Sequence, residues 1–385
     1  MGEIVLFQLG SILDIEAADF SRLVDAGEPF QSRAFLGALE THDAVAARLG
    51  WTPRHIAARN RAGRIVGLMP LYLKTNSFGE FIYDWSWARA FEQNGQRYYP
   101  KLFCGIPYTP ATGLRLWVEN GEDGEHAAHI REALVTAAIA IAEKYQLSSL
   151  HVAFPSAPDQ AVFEEAGFLV RRDVQYHWHN RNYRDFDDYL TSFSSDKRRK
   201  VRAERRKVAE AGVEIAQYAG DGITPALWQK VHALYAATFD KYGNHPALSA
   251  DCLAEIGQAL GRRMVVFVAT LDGEAVATSI CFRNARTLYG RYWGADRRIE
   301  GLHFELCYYQ GIEYCLREGL QCFEPGAGGE HKIARGFEPT EVTTMHWIAD
   351  PRMREVLREY LGRIAAQVGE YSDEVREHLP FRNVP

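Results

Sequence analysis

The chain has 385 residues, a length that fits two domains of ordinary size better than a single hydrophobic core. Apolar residues make up 47% and charged residues 24% of it, a balance typical of folded globular proteins and not of disordered ones. The formal net charge of -6 excludes nucleic-acid binding over the whole surface, so an anion site has to be a local basic patch. DNA is therefore not an expected partner.

The cysteines and the N-terminus predict the compartment. The six cysteines contain no C-x-x-C pair, and five of them lie irregularly spaced in the second half of the chain. This pattern predicts reduced core thiols, with neither a disulfide framework nor a metal site. Residues 1–13 lack the features of a signal peptide, and no window approaches 18 uninterrupted apolar residues. We therefore expect a cytoplasmic protein without a transmembrane segment.

The first half of the chain predicts a helix, a strand hairpin, and a later helix followed by a strand. Apolar residues at helical spacing, alternating runs and a glycine turn support these assignments. In chain order, the predicted elements are a helix at 35–49, a hairpin at 54–73, an aromatic stretch at 78–117, an alanine-rich helix at 125–145 and a buried strand at 150–154.

The second half predicts a similar order. Two helices come first, the second of them closed by Gly212, and a hairpin turns at Asp272-Gly273. The predicted elements are helices at 186–193 and 196–211, strands at 263–270, 276–282 and 288–293, a helix at 303–317 and a strand at 320–324. Helix, hairpin, third strand, helix and strand is the order of a Gcn5-related N-acetyltransferase (GNAT) unit. This order predicts a mixed sheet covered by helices.

A short pattern that occurs in both halves predicts an internal duplication. A Gly-Phe pair precedes a His-Trp pair by the same distance in each half. The matched pairs are Gly167-Phe168 with Gly336-Phe337, and His177-Trp178 with His346-Trp347. We expect two tandem GNAT-like domains, at 1–181 and 182–385, each a mixed, mostly antiparallel sheet flanked by helices. The first would carry an aromatic insertion at about 75–117.

Several longer motifs resemble one family. They are T-L-Y-G-R-Y-W-G at 287–294, L-H-F-E-L-C-Y-Y-Q-G-I-E at 302–313, P-G-A-G-G-E-H-K at 325–332, and the aromatic runs at 78–87 and 98–102. With these motifs, nearly the whole chain resembles the FemAB-like proteins, a bacterial family of the GNAT superfamily named for peptidoglycan biosynthesis or recognition. The resemblance implies acyl or aminoacyl transfer, with aminoacyl-tRNA as a donor and a cell-wall precursor as acceptor. It also implies that Lys332 lies at the transfer site.

The glycine-rich segment at 324–336 is the strongest candidate for a catalytic loop. Its glycines allow close backbone approach to a ligand, and its ionisable groups offer bases and cations. A mobile loop with surface charges is the alternative. The candidate catalytic residues are Glu330, His331, Lys332, His303 and Glu305, and the candidate substrate-binding residues here are Glu324 and Arg335.

A coenzyme A site would lie before the helix at 303–317, because GNAT enzymes bind pyrophosphate there with R/Q-x-x-G-x-G/A. The matching segment begins at Arg298, an anion-binding candidate, but His303 replaces the small residue and Glu300 adds a negative charge. These departures make acyl-CoA a weaker candidate for the donor, and aminoacyl-tRNA remains a candidate as well.

The helix at 196–211 carries the densest basic run. At helical spacing, one side presents the anion-binding candidates Arg198, Arg202, Arg205 and Arg206. A solvated helix face is the alternative. A phosphorylated donor, an acidic lipid-linked precursor or a tRNA acceptor stem would suit such a surface.

Two further groups are candidates for the walls of a substrate cleft between the domains. Tyr289 and Arg291 alternate on a predicted strand and share one face. The aromatic insertion contributes Tyr83, Asp84, Trp85, Tyr99 and Lys101. Ordinary core packing is the alternative for the aromatic residues.

The leading hypothesis is transfer of an acyl or aminoacyl group to an amine. The amine must lose a proton, which requires a base, and a cation would stabilise the oxyanion. The alternatives are a non-catalytic binding protein for a peptidoglycan precursor or other anionic ligand, and an RNA-binding module.

Overall fold

A computed structural model describes residues 3–119, 124–240, 243 and 245–382. In the first part of the chain, short strands and helices alternate. They are β1 (Ile4–Leu9), α1 (Ala17–Leu23), α2 (Arg33–Thr41), β2 (Trp51–Pro53), β3 (His55–Asn60), β4 (Ile65–Met69), β5 (Leu71–Lys74), α3 (Trp85–Gln93), β6 (Lys101–Cys104), β7 (Trp117–Val118), α4 (Gly124–Lys144), β8 (Ser149–Ala153), α5 (Ala157–Glu165) and β9 (Leu169–His179).

The second part begins with helices and ends with the longest helix. Its elements are α6 (Phe186–Thr191), α7 (Ser195–Glu210), β10 (Glu214–Ala219), α8 (Pro225–Asp240), α9 (Ala250–Leu260), β11 (Met264–Leu271), β12 (Glu274–Arg283), β13 (Thr287–Ala295), α10 (Leu302–Phe304), α11 (Gln310–Glu318), β14 (Cys322–Glu324), β15 (Glu338–Ile348) and α12 (Pro351–Glu377). A π-helical turn at Glu305–Tyr309 joins α10 to α11.

The chain divides into two compact units, neither of them a contiguous segment. The first comprises residues 1–173 and 341–370, and the second comprises 174–340 and 371–385. The predicted domains, 1–181 and 182–385, are contiguous, so the observed division differs from them. The reason is strand pairing over long distances in sequence: β15 pairs with β8 in the first unit, and β9 pairs with β14 in the second.

The first unit contains an antiparallel sheet in the order β1-β3-β4-β7, and a second group of strands, β2-β5-β6-β8-β15. In that second group only β6 and β8 run parallel. Helix α4 contacts β3, β4 and β8. Its small and branched residues, such as Ala138 and Leu134, are fully buried in the core beside it.

The second unit contains the strand order β10-β11-β12-β13-β14-β9, in which only β13 and β14 run parallel. The hairpin between β11 and β12 turns at Asp272 and Gly273, which both have positive φ, the backbone that a tight two-residue turn requires. Helix α8 packs against β13 at Gly294, where an added Cβ would lie 1.9 Å from the Leu234 carbonyl oxygen. Only glycine fits so close a contact.

The predicted fold class, mixed α/β with mostly antiparallel sheets flanked by helices, is confirmed. The Gly-Phe pairs of the sequence pattern directly precede β9 and β15, which have 11 residues each, and Gly167 and Gly336 both adopt positive φ. The duplication itself stays a prediction. Among the described residues, no helix combines the length and the hydropathy needed to cross a bilayer.

Candidate functional site

A cavity opens in the second unit where two parallel strands part. β13 and β14 pair only from Thr287 with Cys322 to Tyr289 with Glu324. β14 then ends, and Pro325 cannot donate a backbone hydrogen bond to extend the pairing. β13 continues past this point, and a cavity of about 290 Å3 lies between it and the segment that follows β14. Its lining residues are Ser279, 290–293, His303, Cys307, Tyr308, Pro325, 327–329, His331 and Lys332.

An irregularity in β13 turns Arg291 toward this cavity. Tyr292 pairs with Ile280 and Gly290 pairs with Cys281, so Arg291 is an extra residue on its strand, a β-bulge. Its side chain is only 2% exposed, and the guanidinium lies 5.2 Å from the centre of the Tyr289 ring and 3.8 Å from Glu324. Arg291 therefore lies beside Tyr289 and Glu324, although Tyr289 itself does not line the cavity.

Lys332 is buried at the wall of the cavity, and within the described part of the chain its hydrogen bonds go to backbone carbonyl groups. Its ammonium group donates to the carbonyl oxygens of Gly326 at 2.6 Å and Ala327 at 3.5 Å. Burial, together with the nearby charge of Arg291, lowers the pKa of Lys332 to about 8. At neutral pH, Lys332 thus offers a cation that exchanges its proton more readily than an exposed lysine.

Two neutral histidines lie beside Lys332. Burial lowers the pKa of His303 to about 4, and burial also lowers the pKa of His331, so both rings are uncharged at pH 7. Their ring centres are 5.8 Å apart, and His331 Nε2 lies 2.7 Å from the Tyr308 hydroxyl. Of the predicted bases, these two reach the cavity. Cys307 and Tyr308, which the sequence analysis did not select, line it as well.

The remaining candidates of this segment lie outside the cavity lining. Glu330 is exposed and accepts a hydrogen bond from the Tyr371 hydroxyl at 2.9 Å. Arg335 is buried and donates to the His331 carbonyl oxygen at 2.6 Å and to Glu204 at 2.8 Å. Arg335 therefore supports the backbone at His331.

Glu305 belongs to a different cavity of the same unit, of about 420 Å3. It accepts two hydrogen bonds from Arg205, at 2.9 and 3.1 Å, and a third from Gln310. Arg205 also contacts Glu313 at 2.8 Å and stacks 4.6 Å from the centre of the Phe186 ring. Glu305 and Arg205 therefore pair with each other. The sequence had instead predicted a catalytic base at Glu305 and an anion-binding residue at Arg205.

The other arginines of α7 form an open basic surface. Arg198, Arg202 and Arg206 line a shallow cavity of about 310 Å3 together with Arg199. Exposed carboxylates pair with three of these four arginines: Asp187 with Arg202 at 3.0 Å, Asp196 with Arg199 at 2.8 Å and Glu210 with Arg206 at 3.5 Å. Arg298 is exposed in another segment, before Gly301, the N-cap of α10.

The two charged candidates of the aromatic insertion, Asp84 and Lys101, lie inside the first unit. Asp84 and Lys101 are both 0% exposed, and they form an ion pair with each other. Lys101 also donates to Glu80 at 2.7 Å, and the Tyr98 hydroxyl donates to Asp84 at 2.5 Å. Lys101 outweighs the effect of burial and lowers the pKa of Asp84. This network has the geometry of a buried structural ion pair.

The aromatic candidates of the insertion divide by exposure. Tyr83 is 45% and Trp85 43% exposed, with ring centres 5.6 Å apart. Tyr99 is half-buried, and its hydroxyl lies 2.7 Å from Ser77 Oγ. Of the three aromatic candidates, Tyr83 and Trp85 are therefore the exposed ones.

Comparison with known proteins identifies the family of this chain. A family model described as FemAB-like, peptidoglycan biosynthesis/recognition, matches residues 11–383. The chain belongs to the FemAB-like family. No curated protein matches the sequence.

Solved structures share the fold of this FemAB-like protein at low sequence identity. The C-terminal domain of a protein assigned as lysylphosphatidylglycerol synthetase from Agrobacterium fabrum is 10% identical, with a TM-score of 0.53 over 89% of this chain and 95% of that one. L-PGS from Bacillus licheniformis is 10% identical, with a TM-score of 0.51 over 89% and 99%. FemX is 12% identical, with a TM-score of 0.50 over 92% and 100%. These similarities establish the fold alone.

Proposed function

We propose that the protein transfers an acyl or aminoacyl group to an amine of a cell-wall precursor, at the cavity that Lys332 lines. The observation that carries this proposal is a buried lysine, held by carbonyl oxygens, at the point where two parallel strands part. The peptidoglycan description of the family supports a cell-wall precursor as the acceptor. The name of the lysylphosphatidylglycerol synthetase supports an aminoacyl group as the group that is transferred.

The side chains of the cavity would divide the work. His331 is neutral and can accept the proton that the attacking amine loses, with Tyr308 at its Nε2. Lys332 and Arg291, cations that line the cavity, would stabilise the oxyanion that forms on the carbonyl oxygen when the amine attacks the carbonyl carbon. Arg335 would act through the backbone of His331.

The test is a transfer assay with radiolabelled donors, acyl-CoA and aminoacyl-tRNA, and with nucleotide-linked and lipid-linked cell-wall precursors as acceptors. We expect product from one donor, and a rate about tenfold to a thousandfold lower in Lys332→Ala, as for the loss of one oxyanion partner. Lys230→Ala, on the surface, is the control and should keep the wild-type rate.

A second readout separates the rival function. If a precursor raises the thermal stability of the wild type by mass action and no donor yields product, the protein binds its ligand without turnover. Equal rates for Lys332→Ala and the wild type would place the transfer site elsewhere. Binding of tRNA alone, without precursor binding, would favour the RNA-binding alternative.

A further inference from the structure

Three potential metal ligands from two strands meet on one face of the second unit. β14 pairs antiparallel with β9, Cys322 opposite His179 and Phe323 opposite Trp178. The same register continued by one residue places Glu324 opposite His177. Since side chains alternate along a strand, Phe323 and Trp178 enter the hydrophobic core, and the polar residues share the opposite face.

The three side chains are close enough to share one ion. One ligand atom each from His177, Cys322 and Glu324 lies within 4.8 Å of the other two. His177 is 6% and Glu324 8% exposed, and Cys322 is half-buried. Strand geometry fixes their spacing, so binding an ion would require side-chain adjustment without rearrangement of the backbone.

The donor set is selective. A thiolate, an imidazole and a carboxylate together favour zinc or a similar borderline divalent ion over Mg2+ or Ca2+, which take oxygen ligands. From this geometry we infer that His177, Cys322 and Glu324 form a binding site for Zn2+. Three protein ligands leave a fourth position for water or a substrate atom, as in zinc sites with an open coordination position.

The neighbouring charges are compatible with such an ion. Arg291 lies 3.8 Å from Glu324, and a carboxylate has a second oxygen for the metal. Cys322 binds as a thiolate, so each Zn2+ releases one proton from the thiol to solvent. Gln175 Oε1 lies 3.2 Å from His177 Nε2 and would fix the orientation of the imidazole as an outer-shell partner.

The experiment is a titration of the metal-free full-length chain with Co2+, which reports tetrahedral coordination and a thiolate ligand in its absorption spectrum, followed by displacement with Zn2+. We expect one equivalent to bind, with a sulfur-to-cobalt band. Cys322→Ser should abolish that band, and His177→Ala and Glu324→Gln should each weaken Zn2+ affinity by at least about 100-fold, the upper range for loss of an outer-shell partner.

Cys252→Ser, a thiol on α9, is the matched control and should bind as the wild type does. Glu324→Gln preserves shape, and its thermal unfolding without metal establishes that the fold is intact. Absence of a one-equivalent Co2+ spectrum in the wild type, or an unchanged affinity in any of the three ligand variants, overturns the site. No acyl donor enters this titration, so its result is independent of the proposed transfer.

Discussion

Two of the buried lysines, Lys101 in the first unit and Lys332 in the second, show how the same residue type takes different roles. Lys101 is surrounded by Glu80, Asp84 and the Ser77 hydroxyl, with no exposed surface. Lys332 is also buried, but its hydrogen bonds go to backbone carbonyls, and it lines a cavity. Nearby carboxylates raise the pKa of Lys101 against the effect of burial, whereas burial lowers that of Lys332. Lys101, paired with carboxylates, holds the first unit together, whereas Lys332, whose hydrogen bonds go to backbone carbonyls, is the lysine that we propose for the chemistry.

The largest effect expected from this comparison is on stability. Lys101→Met leaves the buried Asp84 without this cation and leaves Glu80 with the more distant Lys74, at 4.0 Å, and breaking such a buried pair costs about 3–5 kcal/mol in the free energy of unfolding. Urea unfolding measures the loss. Lys144→Met, at an exposed position of α4, should stay within about 0.5 kcal/mol of the wild type. A Lys101 variant as stable as this control would contradict a structural role for the network.

The second prediction applies the same distinction to α7. Arg205→Gln removes the partner of the buried Glu305, and we expect a loss of about 1–3 kcal/mol, less than for Lys101 because Arg205 is 26% exposed. Arg202→Gln, on the open surface of the same helix, should change stability by less than about 0.5 kcal/mol. The comparison fails if the two substitutions cost the same in a denaturant titration.

The third prediction is a pH dependence, the most gradual effect. The folded pKa of Lys332, about 8, lies below the ordinary 10.5, so the unfolded chain binds more protons between these values. The stability of the wild type relative to Lys332→Met should therefore rise from pH 8 to 10.5, by at most about 1.4 kcal/mol per pH unit, and stay level below pH 7. Thermal unfolding of both proteins across this range measures it. A parallel course of the two curves would mean that the pKa of Lys332 is ordinary.

Local sequence determined much of the secondary structure. The predicted helix at 125–145 is α4 (Gly124–Lys144), the helix at 196–211 is α7 (Ser195–Glu210), and the turn at Asp272-Gly273 is where predicted. The helix predicted at 35–49 ends early, at Thr41, and Asp43 has positive φ. These elements were readable because apolar spacing, caps and turn residues act over a few positions.

Only the tertiary structure decided which side chains meet. The glycines and the motif of the segment that contains Lys332 and His331 were enough to select it from the sequence as a candidate site. The sequence could not separate Arg205, paired with Glu305, from Arg202 three residues earlier on the same helix. Nor could it bring His177 beside Cys322 and Glu324, about 145 residues away, or assign β15 to the first unit. Contacts of that range depend on which distant strands pair and in which register, and a short stretch of sequence specifies only which face of its own strand is buried.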